Sequence, residues 1–297
     1  MRTLLSIAVV LFSTGHARGD ERPRMILDAD TANEIDDHYA VLRVLFQDRF
    51  DVVGVTSAQW LHYMGDADSV EASQRENETL LRLAKSKLPT PIGSTEPMGR
   101  PWGGDQPKDS PAARFIIEQA HATPDGQRLT LVCIGASTNA ASAIRIDPTI
   151  AAKIDLYVLG FRYDFETSVW NKNSFNVRRD LNAADYLLNR DDVRLHVMPA
   201  SVAVNLKFNR DDTFEKLSRR GELGQYLIRR WNEHAPDQPV RIIWDLALVQ
   251  AILHPKMATS RRVDTPPENT PRQITVYETI DAAAMQADFW NTFAESQ

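Results

Sequence analysis

From Arg24 onward, short aliphatic and β-branched runs alternate with segments of helical period, and this alternation constrains the fold more than any other feature of the chain. Strand-type runs stand at Met25-Ile26-Leu27, Asp51 to Ser57, Leu129 to Ile134, Ile154 to Leu159, Val193 to Met198 and Gln273 to Tyr277. Between them, Ile35, Tyr39, Leu42 and Phe46 recur at helical spacing, and Asp68 to Lys87, Asn182 to Leu188, Glu222 to His234 and Asp245 to Leu253 carry helical patterns. Parallel strands need crossover connections and helices supply them, so the pattern implies right-handed βαβ units. The expected fold is α/β, a single-domain, open, mostly parallel twisted sheet flanked by helices over residues 24–297. Pro89 to Pro111, rich in Pro and Gly and without periodicity, is expected to be a long irregular surface loop of the kind often used as a lid.

Ahead of the first strand, Met1-Arg2, the apolar run Leu4 to Phe12 and the small-residue stretch Ser13 to Ala17 have the layout of a secretory signal, with cleavage expected near Ala17. The run is too short to span a bilayer, which takes roughly 18 or more apolar residues. The chain is therefore expected to be exported, to the periplasm or outside the cell, with no membrane span once the signal is removed. A net charge of −6 argues against nucleic-acid polymers and anionic membrane surfaces as partners. The single cysteine, Cys133, lies in an apolar run with no Cys/His motif around it, so it reads as a buried structural thiol.

The chemistry concentrates in Asp28-Ala29-Asp30-Thr31-Ala32-Asn33-Glu34-Ile35-Asp36-Asp37, between the first strand and the first helix. Ligands of open α/β sheets bind outside the carboxyl ends of the strands, which is where this block falls. Any one of these acids has a plainer role at hand, capping a turn or decorating a helix N-terminus. Five carboxylates within ten residues, however, repel one another until a cation neutralises them. An oxygen-only donor set selects calcium or magnesium over zinc or copper. The Asp-x-Asp also opens the phosphoryl-transfer motif of haloacid-dehalogenase-type enzymes, but Ala32 stands where that motif requires Thr or Val.

The block resembles the N-terminal fingerprint of nucleoside hydrolases, in a longer form with two extra residues before the Asp-Asp pair. Three more segments follow in the family's order. Ile134-Gly135-Ala136-Ser137-Thr138-Asn139 resembles its Gly-Pro-Leu-Thr-Asn loop, Asn173-Ser174-Phe175-Asn176 with Asp180 resembles its Glu-Phe-Asn segment and trailing Asp, and Trp244-Asp245 resembles its late His-Asp pair. The resemblance implies a Rossmann-like core and calcium-dependent hydrolysis of the N-glycosidic bond of nucleosides or related ribosyl compounds. It implies that Asp30, Asp37, Asp245 and the carbonyl of Ile134 hold Ca²⁺, with Asp30 also the general base on a water. Asp36 and Asn176 would then bind the ribose hydroxyls. The partner so implied is a small nucleoside; assembly into a homo-oligomer is compatible with all of this.

Two departures bear on the substrate. Ser174 replaces the Glu that precedes Phe-Asn in the family, leaving Asn171 or Asn173 to contact the 5′ end of the sugar. Trp244 replaces His, and an indole cannot protonate a leaving base, although it can stack on one or pack beneath it. His62 and Tyr63, after the second strand and beside Gln59 and Trp60, are the candidate replacement acids, although a lone loop His is more often simply solvated. His38, next to the acidic pair, reads either as an orienting group or as a solvent-facing helical His. The pairs Arg178-Arg179 and Arg219-Arg220 read as solvated faces or ion pairs. Two competing functions keep parts of this reading: a hydrolase of a different ribosyl substrate, and an exported non-catalytic nucleoside- or sugar-binding protein. A complete metal shell with a general base speaks against the second.

Overall fold

The computed structural model describes residues 22–62, 67–99 and 104–295, so the proposed signal segment and Tyr63 lie outside the described residues. Strand β1 (Arg24–Ala29) leads into helix α1 (Asp36–Leu45), and β2 (Asp51–Ser57) into α2 (Ser69–Leu83) and α3 (Pro111–Ala122). Strand β3 (Leu129–Cys133) leads into α4 (Thr138–Ile146). Strand β4 (Ile154–Leu159) is followed by a hairpin of β5 (Arg162–Asp164) and β6 (Val169–Asn171), then α5 (Phe175–Arg179) and α6 (Leu181–Leu188). After β7 (Arg194–Met198) come α7 (Ala200–Ala203), β8 (Lys207–Asn209), α8 (Arg210–Ser218), α9 (Gly221–His234) and β9 (Val240–Ile242). The chain closes with α10 (Trp244–Leu253), β10 (Ala258–Asp264), β11 (Gln273–Ile280) and α11 (Ala282–Glu295).

Seven strands form one sheet in the order β10-β11-β7-β4-β3-β1-β2, parallel throughout except for β10, which runs antiparallel to β11 at the edge. This is the expected α/β sheet. The antiparallel edge strand is the part that periodicity does not reveal. Its residues are almost all exposed and include Arg261, Arg262 and Asp264, so it lacks the apolar run that marks its neighbours, and its charges discourage further strand addition.

Side chains alternate across the sheet and feed two cores. Met25, Leu27 and Ala29 pack with Tyr39, Leu42, Ala247 and Phe289 on one face. Ile26, Leu131 and Cys133 pack with Ile116, Ile144 and Leu187 on the other, so Cys133 is the buried structural thiol expected. On the first face, the buried Arg43 guanidinium bonds Gln250 at 3.1 Å and Asp288 at 2.8 Å, fastening α1 to α10 and α11. That fastening matters because α1 and α10 both carry site residues at their first turns.

Helix α2 stops at Leu83 rather than continuing to Lys87, because Lys85 turns left-handed (φ 54°). Helix α3 begins where the long loop was expected to end. Ser110 accepts a hydrogen bond from the Ala113 amide and Pro111 fills the first helical position, a start signal present in the sequence.

Candidate active site

The chain leaves β1 for β2 on one side and returns to β3 on the other, so β1 marks the point where winding reverses. Loops after β1 and β3 diverge there and leave a crevice at the carboxyl ends of the strands. It holds a cavity of about 210 Å³ whose lining includes Asp30, Asp36, Asp37, Ile134, Asn176, Trp244 and Asp245. Asp30 follows β1, Asp36 and Asp37 open α1, Ile134 follows β3, Asn176 lies in α5, and Trp244 and Asp245 open α10. Residues more than two hundred positions apart thus meet, because both helices start at the same edge of the sheet.

Neither α1 nor α10 has a side-chain N-cap, since Ile35 and Ile243 occupy those positions. Acids in the first turns compensate, and the positive ends of both helices favour them. The Asp245 amide donates to Asp36 Oδ2 at 3.4 Å. Carboxylate oxygens of Asp36, Asp37 and Asp245 all lie within 4.8 Å of one another, and all three residues are buried. Burial raises the pKa of Asp30, and the Asp36 charge adds to it. Burial likewise raises Asp37, reinforced by Asp30 and Asp36, and Asp245, reinforced by Asp36, Asp37 and Asp30. Asp36 is pushed up to about 6 by burial and then by Glu34. Glu34 itself is held low despite burial, by a hydrogen bond from His234 and the charge of Arg241, whose guanidinium sits 2.5 Å away.

This donor set fits a hard divalent cation. It offers oxygen alone, its carboxylates raise one another's pKa, and Asp30 Oδ2 and Asp37 Oδ1 are buried with no hydrogen-bond partner among the described residues. Buried, unpaired carboxylate oxygens are costly unless a cation or a proton meets them. The tightest grouping takes in Asp36 where the resemblance assigned Asp30, while Asp37 and Asp245 belong to both sets.

Asn176 Nδ2 donates to the carbonyls of Ile134 at 2.5 Å and Leu159 at 3.1 Å. Two acceptors on one nitrogen fix the amide's orientation and leave Oδ1 to accept from a ligand. Ser174 Oγ accepts from the Phe161 amide at 2.7 Å and also lines the cavity. Asn173 is exposed and outside the lining, as is Asn171. His62 follows β2 outside the lining too, its pKa lowered by partial desolvation and then by Arg179 and Arg178.

The family model described as inosine-uridine preferring nucleoside hydrolase matches residues 25–292. The chain belongs to the nucleoside hydrolase family. It is 22% identical over 268 residues to a probable uridine nucleosidase of Oryza sativa subsp. japonica, covering 81% of this chain and 80% of that protein. A probable uridine nucleosidase of Arabidopsis thaliana is 23% identical over 228 residues, covering 70% and 69%. Among solved structures, an inosine-guanosine nucleoside hydrolase superposes with a TM-score of 0.73 at 16% identity, covering 92% of this chain and 99% of that one. Membership makes the protein a hydrolase of N-glycosyl bonds, from a metal-dependent family whose substrates are small nucleosides.

Within this nucleoside hydrolase, several motif residues act by bracing rather than by contact with a ligand. Asp28 Oδ1 accepts from Thr56 Oγ1 at 2.6 Å and Asn139 Nδ2 at 2.9 Å, tying β1 to β2 and α4, while burial pushes its pKa up to about 6. Asn139 Oδ1 accepts from the Ser94 amide at 3.1 Å, and Asp180 accepts from Thr138 Oγ1 at 2.7 Å and the Met98 amide at 2.6 Å. These last contacts draw the long loop back onto the bracing residues, and none of its described residues lines the active-site cavity. Gln59 Nε2 bonds Thr138 and the Arg179 carbonyl, closing the brace. His38 is wholly buried and meets Glu76 at 3.0 Å, so it is not the solvent-facing His that its helix position suggests. Arg179 is buried as well, its guanidinium 4.5 Å from the centre of the Phe175 ring, so of the two readings, solvated face or ion pair, the solvated face does not hold.

Gly135 explains the small residue after β3: a Cβ there would lie 2.7 Å from Asp30 Oδ1. Gly135→Ala is expected to displace Asp30 and cut turnover by about tenfold or more, since ångström-scale misplacement of a reacting group carries costs of that order. Steady-state kinetics beside circular dichroism checks this. Parent-level turnover would show that the contact does not set the position of Asp30.

Proposed function

We propose that the protein is an exported, calcium-dependent nucleoside hydrolase in which Asp30 is the general base. The observation that supports this most is the pair of unpartnered, buried oxygens Asp30 Oδ2 and Asp37 Oδ1 facing one cavity with Asp245. Asp30, Asp37, Asp245 and the Ile134 carbonyl would hold the ion. A bound calcium would acidify a water and grip vicinal sugar hydroxyls. Asp30, buried and with Oδ2 unpartnered among the described residues, would accept the proton of the attacking water. Asp36 and the Oδ1 of Asn176 orient the ribose, whose ring becomes electron-poor as the base departs. Asp36 has a backbone donor in Asp245, which lessens its need for the ion compared with Asp30.

Uridine and inosine are the first substrates to try, because relatives are named for uridine and structural neighbours for inosine. Trp244, partly exposed at the cavity wall, supplies a flat face for the base. Proton delivery to the leaving base is assigned to the loop after β2, at His62 or Tyr63. If that is right, His62→Ala or Tyr63→Phe slows hydrolysis of inosine far more than that of a 4-nitrophenyl riboside, whose leaving group needs no proton. Equal effects on both would remove the assignment. Export is checked by the mass of the protein recovered from culture, with a mature N-terminus expected near position 18. Incubation with uridine and inosine should release base and ribose in equal amounts. Binding of either without release would make the protein a sugar-binding one instead.

A further inference from the structure

One wall of the cavity carries a charge that the reaction just described does not use. Arg162, on β5, lines the cavity opposite in charge to its five carboxylates, and it is the one cationic side chain among the described lining residues. It is exposed, and no hydrogen bond or ion pair engages its guanidinium among the described residues. Two nearby acids make other contacts. Asp164, two residues on along the same strand face, spends Oδ1 on the amides of Glu166 and Thr167, while Glu34 pairs with Arg241. Ser174, Phe175 and Asn176, which also line the cavity, are uncharged.

The backbone that presents Arg162 is held in place. Phe161, immediately before it, adopts a left-handed conformation (φ 59°), which is uncommon and strained for a bulky residue. Its amide donates to Ser174 Oγ at 2.7 Å and its carbonyl accepts from the Ala200 amide at 3.0 Å. The hairpin beyond is pinned by Tyr163 against Trp170, ring centres 4.7 Å apart, and by the Trp170 indole donating to the Asp264 carbonyl at 2.8 Å. Inward Tyr163 and outward Arg162 and Asp164 follow from strand alternation. A rigid, strained base therefore carries a free, exposed guanidinium at the cavity wall.

A volume of about 210 Å³ is smaller than the roughly 300–1,000 Å³ of pockets that engulf drug-sized ligands, so a substituent carried by a seated riboside reaches the cavity mouth. We propose that Arg162 selects ribosides bearing an anionic group, a phosphate or carboxylate, that projects from the cavity beside β5. This rests on the ribosyl-hydrolase reading above and narrows its substrate class. A guanidinium forms paired, charge-assisted hydrogen bonds with both anions, which a neutral nucleoside cannot offer.

The test compares uridine with uridine 5′-monophosphate, which carries phosphate on the sugar, and with orotidine, which carries carboxylate on the base. Parent protein, Arg162→Ala and Arg162→Lys are each assayed for kcat/KM and, by calorimetry in calcium, for binding. One anionic riboside should be favoured over uridine, identifying the source of the anion. The anionic-to-neutral ratio of kcat/KM should fall about tenfold or more in Arg162→Ala and recover in part in Arg162→Lys. A ratio that is the same in parent and Arg162→Ala overturns the proposal. If no riboside is cleaved, the hydrolase reading fails by itself. Calorimetry then decides the arginine's role, through whether Arg162→Ala weakens binding of the anionic riboside more than that of uridine.

Discussion

Asp30→Asn is expected to lower kcat for a cleaved nucleoside by about a thousandfold or more while leaving the fold intact. General-base catalysis contributes roughly 10²–10⁴-fold, and the same substitution removes one negative charge from the proposed cation site. The amide keeps the shape of the carboxylate, and Asp30 is not among the residues that brace the loops, so circular dichroism should match the parent. Trp244→Phe provides the contrast. It keeps an aromatic face on the cavity wall and loses ring area and one N–H, so a change of about tenfold or less, mainly in KM, is expected. A nucleoside turned over by Asp30→Asn within about tenfold of the parent rate would remove Asp30 as the base.

Removing divalent cations should cost nearly as much, and its pH dependence has a definite sign. At calcium about a hundredfold above its dissociation constant, a site present only in the fold adds about 2.7 kcal/mol. For a domain of this size that amounts to a midpoint shift on the order of 5–10 °C between calcium and excess chelator. In the metal-free protein, Asp28 and Asp36 have folded-state pKa values of about 6 against an ordinary 3.8, so the fold binds protons that the unfolded chain releases. Their contribution is most favourable below the unfolded value and declines as pH rises through about 6. Calcium works in the opposite direction, because its ligands must be deprotonated. The chelator-treated protein should therefore melt higher at pH 5 than at pH 7, and the gain from added calcium should shrink as pH falls. A chelator shift of zero at pH 7, or a calcium gain that grows on acidification, would contradict the cation site.

The sheet was legible from sequence where its strands carry apolar runs, Met25 to Leu27 in β1, Leu131 to Cys133 in β3 and Leu156 to Leu159 in β4. It was not legible in β10, whose exposed charged residues resemble a loop, nor in β5, β6, β8 and β9, which at three residues each are too short to show a period. The acids could be grouped because they sit at strand ends and helix starts, positions with their own sequence signals. Their partners could not. Asn139 reaches Asp28 across 111 positions and Gln59 reaches the Arg179 carbonyl across 120, and such pairings depend on which loops the sheet order brings together. Arg162 escaped notice for a similar reason, since its place at the cavity follows from the left-handed turn at Phe161, a residue type that gives no warning of one. His38, which reads either as an orienting group or as a solvent-facing residue from its neighbours in sequence, is buried where α2 brings Glu76 to 3.0 Å and α9 brings Tyr226 against it, ring centres 6.1 Å apart.

The most direct measurement is ribose release from uridine and inosine by protein stripped with excess chelator, then resupplied with calcium. Hydrolysis should be present before stripping, absent after it, and restored by calcium in the parent but not in Asp30→Asn. Release of ribose that continues undiminished through complete removal of divalent cations, or no release under any cation condition, would contradict the account.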